Sequence, residues 1–198
     1  MAGWTQNTLT VVGKMKVGIL AIQGSVEEHF SAVEKAGEQA VLVKTPEELA
    51  GVDRLIMPGG ESTTIGKLLR RFGLRDAIIE RVKDGMPIWG TCAGAILLAK
   101  KLVGKQTADI LELMDVTIER NAYGRQLDSF EGEIEFNGKK IESVFIRAPK
   151  IVEVGAGCEI LSEHDGEIVA AREGKILITT FHPEMTNDKT VYEYFFEM

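Results

Sequence analysis

The sequence predicts an α/β fold: a three-layer sandwich around a mostly parallel sheet, with antiparallel strands added in the C-terminal half. Two observations carry this expectation. In the first half, short apolar runs without polar alternation (Lys16–Ile22, Ala40–Val43, Arg54–Met57, Met86–Trp89) alternate with helical patterns across short loops. Strands buried on both faces read as continuous apolar runs, and strand–helix alternation lays helices over both faces of a parallel sheet. After Leu102 the pattern changes to strand-like segments separated by turn dipeptides, which predicts antiparallel additions and hairpins on one edge of the sheet.

Taken in order, Lys16–Ile22 is the first strand and Gln23-Gly24 ends it. Ser25, Val26, Glu27 and Glu28 have the spacing of a capping box, opening a helix with Val26, Phe30 and Val33 on one face that ends near Gly37. Ala40–Val43 is the second strand. Thr45-Pro46-Glu47-Glu48 opens a short helix with a cap, a proline at its first position and a closing glutamate. Arg54–Met57 runs into Pro58-Gly59-Gly60-Glu61-Ser62, and helical patterns follow over Thr63–Arg71 and Leu74–Lys83. Behind a Gly85 stop, Met86–Trp89 is the fourth strand, and from Ala93 the residues are good helix formers with Ile96, Leu97, Ala99, Leu102 and Val103 on an apolar face. Val116–Glu119, Glu133–Phe136, Ile141–Ile146, Ile160-Leu161, Ile168–Ala170 and Ile176–Thr180 are strand-like, with turns at Asn137-Gly138, Asp165-Gly166 and Glu173-Gly174. Asn187–Met198 closes the chain as a helix with Val191, Tyr194 and Phe195 on one face.

A chain of 198 residues is long enough for one well-buried core and short for two. Residues 15–198 read as a single domain, and residues 1–14 as an extension, either a natural arm or an expression remnant. The net charge of −7, without a basic tract, argues against a nucleic-acid partner. No apolar run reaches the length of a membrane span, and the N-terminus lacks a signal-peptide layout. Two cysteines, Cys92 and Cys158, stand far apart in unlike contexts and form neither a disulfide framework nor zinc spacing, which points to a reducing cytoplasm.

The chemistry centres on Cys92. It falls on the turn between a strand and a helix, with Gly90 and Gly94 two residues to either side: the nucleophile-elbow pattern with sulfur in place of a hydroxyl. Such a turn pushes the side chain out of the fold at a helix N-terminus, where partial positive charge favours thiolate. A cysteine nucleophile needs a base, and the base an orienter. Of three histidines, His29 lies mid-helix and reads as packed or surface, and His164 as a solvated turn residue. His182 directly follows the strand ending at Phe181, and open α/β sheets place their sites at such carboxyl ends. Glu184, held two residues beyond by Pro183, is placed to fold back onto the imidazole. Oxyanion donors are expected from the N–H of Ala93, after the nucleophile, and from Gly60. The glycine pair lacks the spacing of a phosphate-binding loop.

Gly90–Gly94, Pro58–Thr63 and Phe181–Glu184 together resemble the triad-type (class I) glutamine amidotransferases. A closer likeness is to the glutaminase subunits of pyridoxal 5′-phosphate synthase. It rests on Leu20–Ser25, Pro58–Thr64, Glu119–Gln126, Phe145–Pro149 and Leu161–Gly166, and it runs from Met15 to the C-terminus. The resemblance implies a flavodoxin-like sheet with Cys92 as nucleophile, His182 as acid/base and Glu184 as orienter. It assigns L-glutamine to Gly60, Glu61, Ser62, Arg120, Ile146 and Arg147. Glu61 suits the α-ammonium and Arg120 or Arg147 the α-carboxylate, with the pairing left open. It also implies hydrolysis of glutamine without metal or organic cofactor, and delivery of ammonia to a synthase subunit in a hetero-oligomeric complex for vitamin B6 biosynthesis. Two rivals stand beside it. A cysteine-elbow hydrolase of the deglycase or intracellular protease group relies on a glutamate after the first strand, where this chain has Gln23. A binding module without turnover is disfavoured by the intact Cys92, His182 and Glu184.

Overall fold

A computed structural model describes residues 13–104, 108–120 and 129–198. Most of the 1–14 extension and residues 121–126 of the Glu119–Gln126 motif lie outside these described residues.

The first half alternates as expected: β1 (Lys16–Leu20), α1 (Val26–Lys35), β2 (Gln39–Val43), α2 (Pro46–Ala50), β3 (Arg54–Met57), α3 (Ser62–Arg71), α4 (Leu74–Lys83), β4 (Ile88–Thr91) and α5 (Ala93–Leu98). β1 pairs in parallel with β2 and β3, and β3 with β4. The capping box at Thr45 forms, with its hydroxyl on the Glu48 N–H and the Glu48 carboxylate on the Thr45 N–H. The one at Ser25 does not: the serine makes no side-chain cap, because its hydroxyl is engaged elsewhere.

Helix α5 is shorter than its composition suggests. The carbonyls of Leu97 and Leu98 accept from the N–H groups of Leu111 and Leu113, and Ala99 turns to extended backbone. Ala99–Leu102 thus becomes a strand, β5, parallel to β6 (Met114–Glu119). Pairing with a neighbour overrides the helical propensity of Ala99 to Leu102.

The second half adds its strands on one side of the parallel strands, as expected, except for one hairpin that stands apart. β7 (Ser129–Phe136) and β8 (Lys139–Ile146) form their own two-stranded ribbon, turned by Asn137 and Gly138 at φ 47° and 78°. β9 (Lys150–Val154), β10 (Glu159–His164), β11 (Glu167–Glu173) and β12 (Ile176–Thr179) complete the main sheet. Among the described residues its order is β2-β1-β3-β4-β12-β11-β9-β6-β5, with β10 paired to β11. β12 is therefore central and parallel to β4, and the antiparallel pairs of this sheet are β12 with β11, β11 with β10, β11 with β9, and β9 with β6. Thr179 lies opposite Thr91, so the segments leaving β4 and β12 emerge side by side.

Alternate residues of the central strands bury on opposite faces. Leu55, Met57 and Ile88 pack beneath α3, α4 and α5, while Ile19, Ile56, Trp89 and Leu177 pack beneath α1 and α6 (Thr190–Phe196). α6 buries Val191, Tyr192 and Phe195, and Tyr194 is only half-buried, so Tyr192 takes the inward place expected for Tyr194. No helix among the described residues is long and apolar enough to cross a membrane.

Candidate active site

Cys92 occupies the turn from β4 into α5 with φ 47° and ψ −102°, a conformation L-residues seldom adopt. It is pinned there: its N–H donates to Thr179 and its carbonyl accepts from Ile96. The flanking glycines are required by space. A Cβ on Gly94 would lie 2.1 Å from the Met57 carbonyl oxygen, and one on Gly90 only 2.5 Å from Gly94. The side chain does not project into solvent as expected, since Cys92 is 8% exposed and sits in the wall of a cavity.

His182 is reached three residues after β12 and leads into a 3₁₀ turn, Pro183–Met185. Its N–H donates to the Val144 carbonyl of β8, so the separate ribbon fixes where the chain leaves the sheet. The 3₁₀ turn folds Glu184 back, and His182 Nδ1 donates to Glu184 Oε1 at 2.8 Å. On the other edge of the ring, Nε2 is buried without a well-formed hydrogen bond, while the Cys92 sulfur lies close enough to act on it. Burial lowers the His182 pKa, but Cys92 and Glu184 together outweigh it and raise it to about 10. Gly59 fits in the same corner, where a Cβ would stand 2.8 Å from His182 Cε1 and 3.4 Å from Cys92 Cβ.

Glu184 is buried, and burial alone would raise its carboxyl; His29 and His182 more than compensate and hold it at about 2. Charged His29 and charged His182 sharing one carboxylate would repel each other. His29 is fully buried, and burial lowers its pKa despite Glu184. We therefore take His182 as the cation and His29 as a neutral dipole near neutral pH, with His29 adding its charge to the hold on Glu184 only in acid. The sequence leaves His29 packed or at the surface, and in the structure it is packed. Sequence reasoning missed that it packs against Glu184, with Nε2 facing Oε2 across 3.4 Å. Ser25, also missed, donates its hydroxyl to Glu184 Oε1 at 2.8 Å. The spacing of Ser25 and His29, one helical turn apart, was the available signal. His164 is not a free turn residue: it stacks on Phe130 and Phe145, away from this cluster.

A cavity of about 320 Å³ opens beside Cys92 and His182. Its wall includes Ala93 and all six residues assigned to glutamine: Gly60, Glu61, Ser62, Arg120, Ile146 and Arg147. Gln23, Ile96 and Pro149 complete it, and these three were not anticipated. Gln23 carries weight, because its side-chain oxygen accepts from the Glu61 N–H at 2.9 Å and lies against Gly60. Glu61 caps α3, accepting from the N–H groups of Thr63 and Thr64. Burial opposes ionisation of Glu61, but its hydrogen bonds to Thr64 and Thr63 prevail and hold it at about 2. Arg120 reaches Glu61 Oε1 and Thr63 Oγ1, each at 3.3 Å. Arg147 follows β8 with φ 44°, in the left-handed region. No group of three or more His, Cys, Asp or Glu side chains among the described residues is arranged to hold a metal ion. The arrangement joins a thiol, an imidazole backed by a carboxylate, and a small polar cavity with charges of both signs.

The model of the SNO glutamine amidotransferase family matches residues 19–198. A pyridoxal 5′-phosphate synthase subunit PdxT from Niallia circulans is 50% identical over 186 residues, covering 93% of this chain and 97% of the relative. Its counterpart from Caldicellulosiruptor saccharolyticus is 53% identical over 185 residues, covering 92% and 97%. A crystal structure of a glutamine amidotransferase superposes with a TM-score of 0.88 at 45% identity, covering 91% of this chain and 97% of the other. The PurLQS structure from Thermotoga maritima, at TM-score 0.67 and 16% identity over 93% and 98%, shares the fold.

Proposed function

The chain belongs to the SNO glutamine amidotransferase family, and from that premise we propose that Cys92, His182 and Glu184 hydrolyse the side-chain amide of L-glutamine and supply ammonia to a pyridoxal 5′-phosphate synthase subunit. One observation carries the reading: a single cavity wall holds Cys92, Ala93 and His182 together with the six residues assigned to glutamine. At about 320 Å³ the cavity suits a small metabolite.

Glutamine enters with its carboxamide toward Cys92. The thiolate attacks the amide carbon, a C–S bond forms, and the oxygen takes the negative charge under the N–H groups of Ala93 and Gly60. The His182 imidazolium, raised in pKa by its two partners, gives its proton to the nitrogen; the C–N bond breaks and ammonia leaves. The γ-glutamyl thioester remains. Neutral His182 takes a proton from water, the hydroxide adds to the thioester carbon, and the C–S bond breaks to release glutamate and regenerate the ion pair. Glu184 stays ionised throughout, holding the ring and balancing the imidazolium. For the α-groups of glutamine, Glu61 and Arg120 already face one another, so an α-ammonium would lie on Glu61 while Arg120 or Arg147 takes the carboxylate. The two free cysteines, Cys92 and Cys158, fit work in a reducing cytoplasm.

The test is labelling with a diazoketone analogue of glutamine, followed by mass spectrometry, beside an assay of ammonia release with the synthase subunit present. A single adduct on Cys92 with loss of ammonia release is expected. Turnover that continues with Cys92 unlabelled would overturn the assignment.

A further inference from the structure

Behind the candidate triad lies a second tier of polar groups that the reaction above does not use. Ser25 and His29 stand one turn apart at the start of α1, and both face Glu184. Ser25 Oγ donates to Oε1, which also accepts from His182 Nδ1, each at 2.8 Å. The other oxygen, Oε2, is buried and lacks a hydrogen bond within ordinary limits, and His29 Nε2 faces it at 3.4 Å. The Tyr192 hydroxyl lies 2.7 Å from His29 Nδ1, and Thr91 Oγ1 lies 3.1 Å from Nε2. His29 is shut in by Trp89, whose ring meets it edge-on, and by Tyr192; both rings are essentially unexposed.

The Thr91 and Tyr192 hydroxyls can each donate or accept, and the Glu184 contact selects one tautomer. A bare Nε2 lone pair turned toward an ionised carboxylate would repel it, so the proton belongs on Nε2. Nδ1 is then an acceptor, and the Tyr192 hydroxyl donates to it. We propose that Tyr192 and His29, with Ser25, are positioning residues that keep Glu184 ionised and aimed at His182, so that α1 and α6 together set the competence of a nucleophile carried on β4. The charged and titratable groups facing His29 are Glu184 and His182 from the 3₁₀ turn, Tyr192 from α6 and Glu28 from α1 itself. The Glu184 side chain is unexposed, and a buried carboxylate depends on the polar groups around it, so loss of the His29 dipole destabilises the anion.

The inference rests on the glutaminase reading for its kinetic readout, and a second readout is independent of it. Wild type, His29→Leu, His29→Gln and Tyr192→Phe are compared in glutamine hydrolysis with the synthase subunit present, and in the pH dependence of Cys92 alkylation by iodoacetamide. His29→Leu should lower kcat by about tenfold with little change in KM, less than a full hydrogen bond to a charged group would cost, because the dipole stands off at 3.4 Å. It should also move the acid limb of the rate profile and the alkylation curve to higher pH, by about one unit. His29→Gln, whose amide N–H reaches the same oxygen, should restore most of both. Tyr192→Phe keeps the packing and should shift the curves in the same direction by less. A folded His29→Leu with unchanged profiles overturns the proposal, as does a Gln variant no better than Leu. A wild type that never hydrolyses glutamine overturns the glutaminase reading instead, and the alkylation curves still decide the role of His29.

Discussion

The N–H of Ser25 donates to the carbonyl oxygen of Gly59 at 3.1 Å, tying the first turn of α1 to the glycine loop after β3. The same residue's hydroxyl holds Glu184. Because a peptide plane points its C=O and following N–H in opposite directions, this bond fixes the N–H of Gly60, the second oxyanion donor in our reading. Rotating that peptide requires the Ser25–Gly59 bond to break, and Gly59 and Gly60 are free to make the turn. A subunit that feeds ammonia to a partner gains from being slow when alone. We expect the partner to settle this peptide in its competent orientation and raise glutamine turnover by ~10²–10³-fold, the worth of one oxyanion donor. Ammonia release at saturating glutamine, with and without the synthase subunit, measures it; equal rates would rule out the switch and leave the triad reading intact.

Cys92→Ala is expected to abolish glutamine hydrolysis, by at least ~10³-fold, since only binding and oxyanion stabilisation remain. The elbow adds a stability prediction. At φ 47° and ψ −102° any Cβ is strained, by roughly 1–3 kcal/mol, whereas glycine is at ease there. Cys92→Gly should therefore melt at or above Cys92→Ala, the reverse of the usual order, and a clearly lower melting temperature for the glycine variant would show that the turn stores no strain.

Glu184→Gln is expected to cost ~10²–10⁴-fold in kcat, and His182→Ala more, because the carboxylate orients and balances the ring without itself carrying the proton in flight. Steady-state hydrolysis by purified variants decides the order. Wild-type rates in Glu184→Gln would make the 2.8 Å contact to His182 a bystander.

How much of this was written in the sequence follows from the range of each interaction. Cys92 stands out because the elbow is local: two glycines, a strand before and a helix after. His182 and Glu184 stand out because a strand end and a proline are local too. Ser25 and His29 did not, since they meet partners 159 and 163 residues away, and a serine opening a helix is ordinarily its cap. Here the hydroxyl that fits a capping box goes to a buried carboxylate instead. The end of α5 was equally hidden. Ala99 to Leu102 suits a helix as well as a strand, and β6, arriving later in the chain, decides between them. The central place of β12 also lay beyond local pattern, because an apolar run shows burial on both faces without naming its neighbours.

The last prediction is the pH dependence of stability. His182 is raised in the folded protein to about 10 from its ordinary 6.5. Folding thus favours its protonated form, and the resulting stabilisation is complete below pH 6.5 and disappears as the pH climbs to 10. Glu184, held at about 2 against 4.5, stabilises fully above pH 4.5 and loses that contribution as the pH falls to 2. His29 works the other way from His182: burial keeps it neutral, so it costs stability as the pH drops below 6.5. The acid side therefore mixes Glu184 and Glu61 with His29, and on the alkaline side burial also raises the Cys158 thiol and the Tyr192 hydroxyl, so His182 is isolated by comparison with a variant that lacks it. In urea unfolding from pH 6 to 10, the stability advantage of wild type over His182→Gln should be largest at the acid end and shrink steadily toward pH 10. An advantage that is flat or grows with pH would mean that His182 is not held as a cation by Glu184 and Cys92.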